Sequence, residues 1–325
     1  MTKKARKAKM TTSPENLGIT INTRRIIKTL ISIVGPTAIG KTALAIQLAE
    51  HFRTEIISAD SRQFYKEMTI GTAKPSAEDL LRVPHHFINN LNIYDEYSAG
   101  DFEKEVLELL NRLFVNTDLV IMAGGSGLFV NAVCSGLDIL PKPTEGIREK
   151  LNNLYKEKGL AHIQQLLMES DPKYYHQVDL SNPQRIIRSL EVFQSTGIPF
   201  SDYRKQQTKP RDFNIVSIGL EMPRPALYER INQRVDNMFA DGLIDEVKQL
   251  IDYRDLPPLL TVGYRELFDY LDGLYSLETA GEKIKQHTRQ YAKRQMTWFK
   301  RNETTMWFHP HQANDIIKHL ESVHL

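Results

Sequence analysis

The sequence predicts an α/β protein of the P-loop NTPase-like kind: a parallel sheet flanked by helices, with a helical insertion domain. Three observations lead there. A complete G-x-x-x-x-G-K-[ST] loop occupies residues 35–42. Strand-like apolar runs alternate with helix-periodic segments around it. After residue 137 that alternation gives way to prolines and charge-balanced helical sequence.

The elements follow in order. The apolar run Leu30–Val34 is a strand that leads into Gly35, Pro36, Thr37, Ala38, Ile39, Gly40, Lys41 and Thr42, and Ala43–Ala49 leads out as a helix. Strand, glycine loop and helix N-terminus make an anion cradle, because backbone N–H groups and the positive end of the helix dipole converge on phosphate oxygens. Lys41 adds a point charge, and Thr42 offers a hydroxyl to Mg²⁺. Residues Glu55–Ser58 form a second, short strand ending at Ala59-Asp60. Phe102, Val106, Leu109, Leu110 and Leu113 recur at helical spacing across Asp101–Phe114. Leu119–Ala123 is a buried strand running into Gly124-Gly125-Ser126-Gly127, which opens another helix. Pro141 and Pro143 break the chain, and residues 145–180 read as helices. Asn182 caps a helix with Pro183 at its first position, which runs over Gln184–Ser195 to Gly197. Residues 213–220 are a strand, about 224–250 one long helix, and 304–308 a last strand. The predicted organisation is a basic, disordered tail over 1–28, a phosphate-loop α/β core over 29–137 and 182–325, and a helical insertion over 138–181.

Composition limits the function classes. The 325 residues suffice for about two domains, and 41% hydrophobic with 25% charged residues suits a globular protein. A net charge of +2 does not announce a nucleic-acid partner, so any such surface is local. Residues 1–28 carry Lys3, Lys4, Arg6, Lys7, Lys9, Arg24, Arg25 and Lys28 against the single acid Glu15. They lack the apolar core of a signal peptide, and no stretch is long enough to span a membrane. Cys134 is the only cysteine, which excludes an intramolecular disulfide and points to a reducing cytoplasm. Its apolar neighbours fit an inert buried thiol.

Several residues could carry chemistry. Ligands of open α/β sheets bind beyond the carboxyl ends of strands, which sets Asp60 beside the phosphate loop. By spacing alone it serves equally as a helix cap or as a base. Ser126 lies on the same edge. Here the chain has Ala-Gly-Gly-Ser where phosphate-loop ATPases commonly place a Mg²⁺-binding aspartate, which argues against nucleotide hydrolysis. Arg230 and Arg234 share a helix face and could clamp a diphosphate, or face solvent with Glu229 and Asp236 as partners. Residues 283–301 hold seven basic residues and no acid. On a helix, Ile284, Tyr291 and Trp298 make a core-facing stripe, while Lys285, Arg289 and Lys293 line a basic face suited to phosphates. Residues 184–188 and 261–265 add smaller basic clusters. The adjacent His85 and His86 diverge on a strand and read as structural.

Nine ordered strings carry a closer resemblance: 35–42, Asp-Ser-Arg-Gln-Phe-Tyr (60–65), Gly-Thr-Ala-Lys-Pro (71–75), Val-Pro-His-His (83–86), Tyr-Ser-Ala-Gly-Asp-Phe (97–102), Gly-Gly-Ser-Gly-Leu (124–128), Asn-Pro-Gln-Arg (182–185), Val-Gly-Tyr-Arg-Glu (262–266) and Lys-Arg-Gln-Met-Thr-Trp-Phe (293–299). Together they resemble the tRNA dimethylallyltransferase (tRNA isopentenyltransferase) family over almost the whole chain past residue 28. The resemblance implies transfer of a dimethylallyl group from dimethylallyl diphosphate to N6 of the adenosine immediately 3′ of the anticodon, in tRNAs reading codons that begin with U. It implies that the loop and the arginine pair hold the donor's diphosphate, with Mg²⁺ as cofactor, and that Asp60 is the base. The family usually has threonine at the Ser126 position, and serine keeps the hydroxyl. The family also often has aspartate at Asn89 and alanine at Gly100. Ser61, Arg62 and Gln63 would contact the target and its neighbours. Arg148 with Gln184, Arg185, Ile186, Ile187 and Arg188 would grip the anticodon loop. Gly263, Tyr264, Arg265, Lys293, Arg294, Gln295, Trp298 and Lys300 would complete the tRNA surface. A monomer in the cytoplasm, binding the anticodon stem-loop and no membrane, is expected. A small-molecule kinase would share the loop but would not need the basic helix. An RNA-binding adaptor would not need an intact loop.

Overall fold

A computed structural model describes residues 28–205 and 208–324. The predicted tail therefore lies outside the described residues except for Lys28, whose ammonium pairs with Asp118 at 2.6 Å. In chain order the elements are β1 Thr29–Val34, α1 Lys41–Phe52, β2 Ile56–Ser58, α2 Ala77–Arg82, β3 His85–His86, α3 Ala99–Leu113, β4 Leu119–Ala123 and α4 Gly127–Ser135. Then come α5 Ile147–Ser170, α6 Pro172–Tyr175, α7 Pro183–Thr196, α8 Phe200–Tyr203 and β5 Asn214–Leu220. The chain closes with α9 Arg224–Ala240, α10 Leu243–Gln249, α11 Tyr264–Leu271, α12 Leu277–Phe299, β6 Met306–Phe308 and α13 Ala313–His324.

The six strands pair in the order β3-β2-β4-β1-β5-β6, all parallel, as predicted. All six residues of β1 are buried, because helices cover both faces of the sheet. Leu30 and Val34 face one core with Phe64, Phe102 and Tyr264, while Ile31 and Ile33 face the other with Leu44, Leu48 and Ile231. The carboxyl ends of β1, β2 and β4 thus share one edge, where the phosphate loop, Asp60 and the Gly124–Gly127 turn emerge.

Two predicted boundaries shift. The long helix expected over 224–250 is two helices, α9 and α10, broken at Gly242, which sits at φ 98°. Asp241-Gly242 is a stop signal that the unbroken apolar periodicity masked. The helical unit also continues past residue 181. Its core joins Leu151, Ile163 and Leu167 of α5 to Ile186, Ile187 and Leu190 of α7 and Phe200 of α8. An apolar face on α7 needed a partner, and α5 supplies it. Cys134 is half-buried, not fully buried as expected, yet desolvation pushes its thiol up to about 11, as an inert thiol requires.

Candidate active site

The phosphate loop turns from β1 into α1 through Gly40, whose φ of 107° is the left-handed region that favours glycine. Ile39 is fully buried beneath the loop and so holds it to the core instead of facing a ligand. Thr37, Gly40, Lys41 and Thr42 line a cavity of about 810 Å³ together with Asp60, Gln63, Arg230 and Arg234. The Lys41 ammonium donates to the carbonyls of Gly35 (3.1 Å) and Pro36 (2.8 Å). Burial pulls its pKa down to about 8, opposed by the Asp60 carboxylate and reinforced by Arg234. Burial likewise lowers Arg234, with Asp60 opposing. Glu50 and Asp79 on the same cavity already pair with Arg82. Near the loop, three cations therefore face one carboxylate, an arrangement that accepts a polyanion.

Asp60 makes a cap-like contact and also borders the cavity. Its Oδ1 accepts from the Arg62 N–H (3.1 Å), as a turn cap does, and its carboxylate lines the cavity. Ser126 accepts from the Ser61 N–H (2.9 Å) and donates to the Ser61 hydroxyl (3.1 Å), so it fixes the Asp60–Ser61 turn. Gln63 is buried with its amide committed: it accepts from the Ser58 hydroxyl and donates to the carbonyls of Thr72 and Ala73.

Helix α12 presents a different face from the predicted one. Ile284 is buried, but Tyr291 is 37% exposed. Lys285 pairs with Asp236 (2.8 Å) and Glu282, and Arg289 donates to Asn232 Oδ1 (2.7 Å), so this row packs against α9. Lys283, His287, Gln290, Tyr291 and Arg294 instead border an open cavity beside α11. Arg265, Lys293 and Arg294 are exposed, as RNA contacts require. Lys300 is also exposed, yet it pairs with Glu221 (2.7 Å) and lies over the Trp307 ring.

Several predicted RNA contacts are corrected by burial. Ile186 and Ile187 are fully buried in the helical unit. Tyr264 is fully buried, with its hydroxyl donating to Glu246 (2.6 Å). The buried Gly263 donates its N–H to Glu266 (2.7 Å). Trp298 packs on Gly127, where a Cβ would come within 2.3 Å of the indole. Gln295 is 6% exposed; it accepts from the Thr37 N–H (2.8 Å) and donates to the Gly125 carbonyl (2.9 Å), so it braces the phosphate loop. Gln184 and Arg185 remain exposed. Arg148 and Arg188 converge on the buried Glu191, Arg148 through two 2.9 Å bonds and Arg188 through one of 2.7 Å.

Three residues on or around the cavity escaped the sequence reading. Lys74 lines it; burial lowers its pKa to about 8, and its ammonium donates to Tyr65 O (2.5 Å) and Asn89 Oδ1 (2.6 Å). Glu246 accepts from the N–H groups of Thr69, Ile70 and Gly71, fixing the loop whose carbonyls hold Gln63. Tyr291 faces the cavity from α12. Lys74 lies inside a motif and was within reach of the sequence, whereas Glu246 and Tyr291 have no local signature.

A phosphate loop after β1 and a cationic cavity that also holds the Asp60 carboxylate define a group-transfer enzyme of the phosphate-loop α/β class. The model of the IPP transferase family matches residues 63–302, and the chain belongs to that family. The tRNA dimethylallyltransferase 1 of Bacteroides thetaiotaomicron is 48% identical over 292 residues, covering 90% of this chain and 95% of the relative. The tRNA dimethylallyltransferase of Flavobacterium johnsoniae is 48% identical over 301 residues, covering 90% and 97%. Among solved structures, the tRNA isopentenylpyrophosphate transferase of Bacillus halodurans is similar at 37% identity and a TM-score of 0.66, covering 91% of this chain and 97% of that one. A eukaryotic dimethylallyltransferase acting on tRNA is similar at 26% identity and a TM-score of 0.71, covering 87% and 74%.

Proposed function

We infer that the protein transfers a dimethylallyl group from dimethylallyl diphosphate to N6 of the adenosine immediately 3′ of the anticodon, in tRNAs reading codons that begin with U, and releases diphosphate. The observation that carries this reading is the meeting of Lys41, Arg230 and Arg234 with Asp60 on one cavity. The cations and loop N–H groups bind the diphosphate and stabilise the charge it gains as the carbon–oxygen bond breaks. The electron pair leaves with diphosphate, N6 forms the new bond to carbon, and Asp60 takes the N6 proton. With Oδ1 engaged by Arg62, the other carboxylate oxygen receives it. A base in an unpaired loop can be drawn into the cavity without the cost of unpairing, which suits an anticodon loop.

Mg²⁺ fits as a phosphate-shared ion. Among the described residues no three His, Cys, Asp or Glu side chains converge to hold a metal, whereas the exposed Thr42 lines the cavity. Such an ion is held by one or two protein oxygens plus substrate phosphates, and when bound it neutralises the leaving group. We place the enzyme in the cytoplasm, in keeping with its single cysteine, and take it to act as a monomer. Among the described residues no helix is long and apolar enough to cross a membrane.

The test is incubation with labelled dimethylallyl diphosphate, Mg²⁺ and unmodified tRNA. Label on that adenosine is expected, and its absence overturns the reading. Asp60→Asn is expected to lose turnover by at least about a hundredfold while still binding tRNA; normal turnover removes Asp60 as the base. A kinase would instead bind ATP at the loop in preference to the prenyl diphosphate.

A further inference from the structure

Tyr291 borders two cavities. One is the catalytic cavity of about 810 Å³. The other, about 390 Å³, lies between α11 and α12. We propose that Tyr291 is a stacking partition between two unpaired nucleotides of the same RNA, the target adenosine in the catalytic cavity and an adjacent nucleotide in the second. The proposal rests on the tRNA reading above and names the part of the RNA that the second cavity takes.

The lining of the second cavity matches a nucleotide. Leu260 is 53% exposed and Tyr291 37%, so apolar surface that folding would ordinarily bury faces the opening. Arg265, Lys283 and Arg294 bring cations to the same cavity for phosphate oxygens. Lys283 lies 5.2 Å from the centroid of the Tyr275 ring, and Arg294 5.9 Å from that of Tyr291, so both are held near aromatic surface. Asp269 accepts from the Tyr275 hydroxyl at Oδ2 (3.1 Å), which leaves Oδ1 as an acceptor for an amine on a base edge.

The position of Tyr291 ties the two cavities together. Tyr291 lines the same cavity as Asp60, and burial, reinforced by the Asp60 carboxylate, pushes its phenol above the ordinary tyrosine value. One turn on, Gln295 braces the phosphate loop, so this stretch of α12 is fixed against the site. A base drawn out of an RNA loop loses its stacking neighbours. A rigid aromatic ring beside it restores part of that contact, and a ring reached from two sides does so for two bases.

The test uses the full chain and an anticodon stem-loop RNA carrying 2-aminopurine either at the target or at one adjacent position. Quenching of both probes on binding is expected. Tyr291→Ala is expected to lower RNA affinity by at least roughly five- to hundred-fold, the range of a single lost base–aromatic stack, and to relieve the quenching. Tyr291→Phe keeps the ring and is expected to keep both quenching and affinity. Leu260→Glu, at an exposed position, is expected to weaken RNA binding and relieve quenching only at the adjacent probe. Unchanged affinity for dimethylallyl diphosphate reports an intact site in each variant. If prenyl transfer to the target proceeds but Tyr291→Ala leaves RNA affinity and quenching unchanged, the partition is wrong and the tRNA reading stands. Loss of quenching at the target alone overturns the second cavity as a nucleotide site. If the wild type transfers no label, the tRNA reading fails first.

Discussion

Lys41 makes diphosphate binding a proton-linked event. Its pKa of about 8 in the free protein means that it is mostly charged at pH 7 and mostly neutral at pH 9. A bound diphosphate opposes the desolvation that lowers it and restores the charged form. The bound state then holds more protons than the free state above pH 8, so affinity falls as pH rises. If the bound form stays charged, the fraction of competent free protein falls about tenfold between pH 7 and 9, and affinity falls with it. Titration calorimetry with dimethylallyl diphosphate in two buffers of different ionisation enthalpy measures both the affinity and the proton taken up. Lys74 is held near 8 on the same cavity, but it lies outside the phosphate loop that cradles the diphosphate, so it contributes the smaller share. Lys41→Arg, which does not titrate in this range, should remove most of the pH dependence, and Lys41→Arg with Lys74→Arg nearly all of it. Affinity that holds steady or rises from pH 7 to 9 in the wild type, or the same fall in Lys41→Arg, refutes the linkage.

Four further outcomes follow from the packing. Glu191 is 1% exposed; burial pushes its pKa up, but bonds from Arg148 and Arg188 outweigh this and hold it below the usual carboxylate range. Glu191→Gln should cost about 2 kcal/mol in urea denaturation at neutral pH, and the difference should shrink as pH falls below the ordinary carboxylate value through the lowered one. Tyr264→Phe, losing one bond to a carboxylate, should cost about 1–3 kcal/mol of stability and leave RNA affinity within about twofold, as filter binding would report. Replacing Lys293 and Arg294 with alanine should flatten the slope of log affinity against log salt by roughly 0.7–0.9 per lost phosphate contact. The same change at Lys285 and Arg289 should lower the melting temperature and leave the slope alone.

What the sequence could disclose depended on how local each signal is. The phosphate loop needs only a strand, glycines and a helix start, all contiguous, and every part lies where the motif places it. Asp60 was legible because a strand end fixes its position beside that loop. The basic helix was harder. Lys285 and Arg289 differ from Lys283 and Arg294 only in which neighbour lies opposite, and Asp236 and Asn232, far back in the chain on α9, decide it. Motif matching also ran together residues that shape a site and residues that touch its ligand. Tyr264 and Arg265 are adjacent, yet one is fully buried and the other exposed. Ile186 and Ile187 sit between exposed Gln184 and Arg185 and the half-buried Arg188, and a helix turning 100° per residue separates the two sets. Glu246 was invisible because three of its partners are peptide N–H groups, which carry no residue identity, and the fourth, the Tyr264 hydroxyl, lies on another helix.

The brace formed by Gln295 constrains how this chain can vary. A side chain at position 125 would bring its Cβ within 2.4 Å of Gln295 Nε2. A shorter residue at 295 would make room, but it would also strand the Thr37 amide and the Gly125 carbonyl without their partners. Each position is therefore guarded by the other. Drift at either must pass through a weakened intermediate, and two residues that lie 170 positions apart are inherited, in effect, as one letter of the sequence.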